Sequence, residues 1–229
     1  MTCHFAPLVP QRIRLDQVVR SSQRIMAGAR QFAVSKFQAT SSHAAKGPPL
    51  KTFMFPTPLT GGKEALVAAY AQHTRRAVDA VREQFPGLSL DGRLAIVVPD
   101  ETFMEDHRKA FDDILNEQPP KGAVRLVSAV ESSATIPGLG SREIENEERI
   151  TYAPIGDMDG LERLLVLSVG FDRAASKASS DDVTHGEVRS RLYRAITRAQ
   201  MMFLIVNEGI KGGWLEYLVH IKVSKRSGA

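Results

Sequence analysis

Hydrophobic positions along the chain alternate between two textures. KEALVAAYAQHTRRAVDAVREQF (63–85) places Leu66, Val67, Tyr70, Ala77, Val78 and Val81 on one side of a helical projection, and Pro86 with Gly87 ends the pattern. RLAIVVP (93–99), AVRLVSAV (123–130), ERLLVLSVGF (162–171) and MMFLIVN (201–207) are short continuous apolar runs. Runs of this kind belong to strands buried on both faces of a parallel sheet. LDQVVRSSQRIMAGARQFA (15–33) repeats helically through Val18, Val19, Ile25, Met26 and Phe32. Thr102 and Glu105 have capping-box spacing and open a helix reaching about Leu115. Residues 35–62 hold four prolines and the short extended piece LKTFMF, and 172–186 is rich in small polar residues, so both read as irregular loops. The ends, 1–11 and 216–229, read as loosely ordered. Helices interleaved with buried strands predict one α/β layered domain over 1–229, with a largely parallel central sheet.

Composition changes this picture little. Apolar residues make up 43% and charged residues 24%, ordinary for a chain with a real core. The net charge of +4 permits an anionic partner without requiring one. Charge is uneven: from Met1 to Lys63 the one acid is Asp16, against nine Lys or Arg. Such a start has the composition of an organelle-targeting segment, but the helical pattern from residue 15 argues for a part of the fold. The single Cys3 excludes an internal disulfide and fits an intracellular, reducing compartment. No apolar run approaches the ~18–20 residues of a membrane span, and the six His have no metal-ligand spacing.

Several motif-like stretches fail on chemistry. GGK (61–63) has Thr57 where a phosphate loop needs glycine and Glu64 where it needs Ser or Thr, so it reads as the start of a helix. Asp100 and Glu101 after AIVVP resemble metal-binding acids, but without an upstream phosphate loop they are better placed as helix caps. GLGSRE (138–143) lacks the third glycine of a dinucleotide fingerprint. Asp157 and Asp159, two apart on a segment taken as extended, face opposite sides and make no catalytic pair.

RSRLYRAITRAQ (189–200) is different, because it drives four arginines against the apolar string MMFLIV. On a helix Arg191, Arg194 and Arg198 fall within about 60° of each other. Leu192, Ala195, Ile196 and Ala199 form the adjoining buried arc. Three arginines and no lysine favour planar, multidentate contact with phosphate or carboxylate. A decorated solvated surface explains the spacing equally well.

The residues themselves carry a resemblance. EVRSRLYRAITRAQ before an apolar strand resembles the last motif of superfamily 1 helicases of the UvrD/Rep type, matching at Glu187, Arg189, Leu192, Tyr193, Ala195, Ile196, Thr197, Arg198 and Ala199. DGLERLLVLSVG resembles the preceding KGLE motif at Gly160, Leu161 and Glu162. LDQVVRSSQRIMAGA is similar to an earlier family segment at Leu15, Arg20, Ser21, Ser22, Ile25 and Ala27. The three occur in the family's order over about residues 12–215, the family's second, RecA-like motor domain.

The resemblance implies that Arg198 is an arginine finger and Arg20 a second γ-phosphate arginine, both stabilising charge on the transferring phosphoryl group. It implies nucleotide contacts from Glu162 and Gly160, with ATP and Mg2+ held mainly by a Walker A-containing first motor domain, and single-stranded nucleic acid as a further partner. Arg191 and Arg194 stand at usually apolar family positions and inherit no role, which leaves them as candidates for nucleic-acid contact. The departures are specific. Val19 replaces the family's adenine-stacking Tyr, Asp159 its usual Lys, and Gly156 a frequent His. The chain contains no Walker A loop and no DExx motif, so the isolated chain is expected to hydrolyse no ATP. It is expected to be a fragment, a truncated product or a separate subunit. A degenerate helicase-like binding module without turnover, and an unrelated α/β domain with a basic helix, are the competing readings.

Overall fold

The structure, a computed structural model, describes residues 17–33, 40–117, 123–134, 147–172 and 182–216. Cys3, Leu15, the GLGSRE stretch, the ends 1–11 and 217–229 and most of the loop at 172–186 lie outside the described residues.

Two short parallel strands, β1 (Gln17–Val18) and β2 (Thr40–Ser41), flank helix α1 (Gln23–Arg30). Then follow β3 (Lys51–Phe55), α2 (Gly62–Gln84), β4 (Leu94–Val98), α3 (Glu101–Glu117), β5 (Ala123–Val127) and α4 (Ala129–Ala134). The chain continues through β6 (Glu147–Pro154), a 3-10 turn (Ile155–Met158), β7 (Arg163–Val169), α5 (Asp182–Thr197) and β8 (Ala199–Glu208). Six strands form one sheet in the order β3-β8-β7-β4-β6-β5, every neighbouring pair parallel.

The apolar runs are strands buried on both faces. In β4, Leu94, Ile96 and Val98 pack with Tyr70, Val78 and Phe111 of α2 and α3, while Ala95 and Val97 turn to the opposite cluster. That second cluster holds Ile25 and Ala29 of α1, Ala129 of α4, and Val188, Leu192, Ala195 and Ile196 of α5. The β8 residues Met202, Leu204 and Val206 against Phe203 and Ile205 repeat the alternation. The result is a three-layer α/β sandwich.

The structure corrects several sequence expectations. The helix expected over 15–33 begins at Gln23, because the two serines before it bond to β8: Ser21 Oγ donates to Ala199 O at 3.0 Å and Ser22 N to Gln200 O at 2.9 Å. The chain is extended there, and Val19 is 71% exposed. The capping box at Thr102 and Glu105 does not form; Asp100 Oδ1 accepts Phe103 N at 2.9 Å and starts α3 two residues earlier, as a cap at Asp100 requires. The expected strand over 123–130 stops at Val127, where Ser128 Oγ accepts Glu131 N at 3.1 Å and opens α4. The loop expected over 35–62 contains β2, and its extended piece LKTFMF holds β3, an edge strand paired to β8 from Lys51↔Leu204 to Phe55↔Glu208. Helix α5 starts at Asp182, inside the expected 172–186 loop; mid-helix Gly186 masks it in sequence. Asp157 lies in a 3-10 turn, not an extended segment.

Candidate functional site at the strand N-termini

Three stretches of chain converge at the N-terminal edge of the sheet. Arg163 pairs with Ala199 across β7 and β8, and Arg163 N donates to Arg198 O at 3.0 Å. Glu162 and Arg198, each one residue upstream of these partners, therefore stand side by side. The serine bonds to β8 bring in Arg20, which forms an ion pair with Glu162. So Arg20, Glu162 and Arg198, distant in sequence, share one edge.

Their states differ. Arg20 is half exposed and its charge is met by the less exposed Glu162. Arg198 follows the last residue of α5, and its Nε is buried with no hydrogen-bond partner among the described residues. A buried N–H left unsatisfied costs roughly 1–3 kcal/mol, a cost that an incoming acceptor would remove. Gly160 adopts a left-handed φ of 81° in the turn leading to β7, with open space where a Cβ would stand. The conformation alone accounts for glycine there, and the backbone beside it remains approachable.

The other arginines of α5 are engaged locally. Arg191 Nη2 donates to Glu187 Oε1 at 2.5 Å along the helix, and Arg194 Nη2 donates to Asp159 Oδ2 at 2.7 Å. The hydrogen bond from Arg194 holds the Asp159 carboxyl below its usual range, with the charges of Arg194 and Arg198 acting in the same direction. Arg189 donates to Ala33 O and lies over the Trp214 ring, 5.5 Å from its centroid. Leu192, Ala195, Ile196 and Ala199 are all fully buried, as the helical projection requires.

Arg163 escaped the sequence reading. Its half-buried guanidinium donates from Nε to Thr151 Oγ1 at 3.3 Å, from Nη1 to Glu162 O at 2.7 Å and from Nη2 to Ser132 Oγ at 2.5 Å. The available signal was an arginine heading an apolar strand, directly after the GLE stretch.

At the opposite, C-terminal edge a cavity of about 430 Å³ lies among Met54, Phe55, Pro56, Ile210 and Lys211. Open α/β sheets bind their own ligands at that end; the arginine cluster is at the other. Among the described residues no group of His, Cys, Asp or Glu is arranged to hold a metal, and no helix is long and apolar enough to cross a membrane.

A six-stranded parallel sheet with helices on both faces is a RecA-like layered fold. The chain is similar to a solved structure of this type, the C-terminal domain of a possible DNA helicase from Lactobacillus plantarum WCFS1. The TM-score is 0.50 and the identity 16%, over 83% of this chain and 88% of that one. At that identity the likeness establishes the fold. No protein-family model and no curated protein sequence matches the chain at a significant level.

Proposed function

We propose that this chain is the second motor domain of a UvrD/Rep-type superfamily 1 helicase, which lends Arg198 and Arg20 to an ATP–Mg2+ complex held by a Walker A-containing first domain. The observation that carries the reading is the buried, unpartnered Nε of Arg198 beside the Arg20–Glu162 pair. A planar donor kept dry and unsatisfied gains most when a phosphoryl oxygen arrives. The position of these residues agrees with a supporting role. They stand together at the strand N-termini, on an edge where a nucleotide presented by another domain would meet them.

ATP would supply the phosphoryl group and its Mg2+ would be ligated by the first domain. This chain's part is narrower. Arg198 would donate to the oxygens of the group being transferred. Arg20 would exchange Glu162 for the same phosphate, and the freed Glu162 would face the ribose. The open backbone at Gly160 lets the nucleotide approach. A single-stranded nucleic-acid partner belongs to this reading, although Arg191 and Arg194 meet it already bound to Glu187 and Asp159.

The test is ATP turnover by this chain combined with a candidate first motor domain. The chain alone is expected to be inactive, the combination active, and the activity to fall on Arg198→Ala. Unchanged turnover in Arg198→Ala refutes the finger assignment. A degenerate binding module is favoured by the exposed Val19 in place of a stacking ring and by Asp159 in place of the usual Lys; it requires that no first domain restores turnover.

A further inference from the structure

A cavity of about 210 Å³ opens beside Arg163, walled by Gly92, Ser132, Ser133, Arg149 and Leu161. Its charge is unbalanced. A guanidinium has five N–H donors; Arg163 spends three on neutral oxygens, those of Thr151, Ser132 and the Glu162 carbonyl. It forms no ion pair among the described residues, which leaves two donors and a full positive charge.

The acids in the neighbourhood act on other arginines, Glu147 on Arg149 among them, and Arg163 feels burial alone. Asp91 clamps Arg149 from Nε and Nη2 at 2.8 and 2.9 Å, Glu131 holds Arg125 at 2.8 Å, and the Glu162 carboxylate holds Arg20. Arg149 is thereby neutral as a pair, and Arg163 remains the uncompensated cation. Burial of such a cation disfavours its charged form. A half-buried charge without a counter-charge is costly, and proteins seldom retain one unless something anionic completes it.

The geometry points to a compact phosphate-binding subsite in this cavity, with Arg163 as its principal donor and the mouth formed by Ser133 on α4. The ligand class is orthophosphate or the terminal phosphate of a nucleotide: the cavity has room for a phosphate group, and a doubly charged oxyanion matches the two remaining donors. The inference needs no other domain and does not rest on the helicase reading. Arg163 sits one residue beyond Glu162, so the subsite shares the edge of the Arg198 cluster while using different residues.

The experiment uses the full chain, isotopically labelled, titrated with inorganic phosphate against chloride at matched ionic strength. The expected result is a saturable shift of the Arg163 Nε–H resonance with a rise in melting temperature. AMP should reproduce it and adenosine should not. Arg163→Gln should abolish the response. In case that change unfolds the chain, Ser133→Asp at an exposed helix position places a carboxylate at the mouth and should weaken the apparent affinity at least tenfold. Arg75→Gln, on the opposite layer, should leave the response intact. The proposal is overturned by the absence of a saturable response, by a response that survives Ser133→Asp, or by one centred on Arg198. An equal response to an oligonucleotide lacking terminal phosphates overturns it too.

Discussion

The His107 cluster on one side of this molecule and the arginines at the strand N-termini are treated in opposite ways. Between α2, α3 and β6, Thr74 Oγ donates to Tyr70 O at 2.8 Å and accepts from His107 Nε2 at 3.0 Å, and His107 Nδ1 accepts from Tyr152 Oη at 2.7 Å. That arrangement fixes the tautomer, uses both ring nitrogens and keeps the ring neutral. Burial pulls the His107 pKa down to about 4 and pushes the Tyr152 hydroxyl well above its ordinary value. Nothing is left over. At the strand N-termini, by contrast, Arg198 keeps an unsatisfied Nε and Arg163 an unbalanced charge. A satisfied network holds layers together, whereas unsatisfied donors mark a surface that something else completes.

The largest effect expected from this contrast is on turnover. With a first motor domain present, Arg198→Ala should lower ATP hydrolysis about 10³-fold, the lower end of what an arginine finger contributes. Its chemical-denaturation midpoint should stay within experimental error of the parent or rise slightly, since the substitution removes an unsatisfied buried donor.

Next comes the pH dependence of stability. His107 binds a proton near pH 6.5 when unfolded and only near pH 4 when folded, so between these values the unfolded chain holds more protons. Stability contributed by neutral His107 is complete above about pH 6.5 and lost as pH falls toward 4. The full window amounts to about 3 kcal/mol. His73, stacked on Phe55, is depressed in the same direction by burial and by the Arg76 charge. Denaturation curves between pH 7 and 4 check this, and a flat profile contradicts the neutral, buried assignment.

Tyr152→Phe should cost about 1–3 kcal/mol, because it strands His107 Nδ1 without a donor. Turnover in the combined system should be unaffected at pH 7, which separates this side of the sheet from the other. The smallest effect belongs to Arg194→Gln. Its pair with Asp159 is exposed, and loss of such a pair changes stability by less than about 1 kcal/mol. A loss of turnover comparable to that of Arg198→Ala would move the finger to the wrong arginine.

The central strands were legible because burial on both faces writes itself as continuous apolar runs: LAIVV, RLLVLSV and the MMFLIVN core of β8. Helix α2 and the buried stripe of α5 were legible for the periodic version of the same reason. Strand β6 was not, since Glu147, Glu148 and Arg149 occupy its first half, the latter two paired laterally with Arg82 and Asp91. Helix α4 is only six residues long, too short for a period to show. In the site, the motif resemblance singled out Arg20, Glu162 and Arg198, and the structure brings these three together. It does not indicate that Arg20 and Glu162 bind each other, because residues 142 apart meet only once the serines dock on β8. Arg163 stayed hidden for a similar reason. Its partners Ser132 and Thr151 come from α4 and β6, two of the elements that were missed.

The central claim is that Arg198 completes a phosphoryl-transfer site on another domain. Its most direct measurement is the association of this chain with a Walker A-containing first motor domain loaded with Mg2+, ADP and aluminium fluoride, which mimics the transferring group. The account expects association to be at least tenfold tighter with the aluminium fluoride complex than with ADP alone, and that difference to vanish in Arg198→Ala. An equal preference in the parent chain and in Arg198→Ala would contradict it.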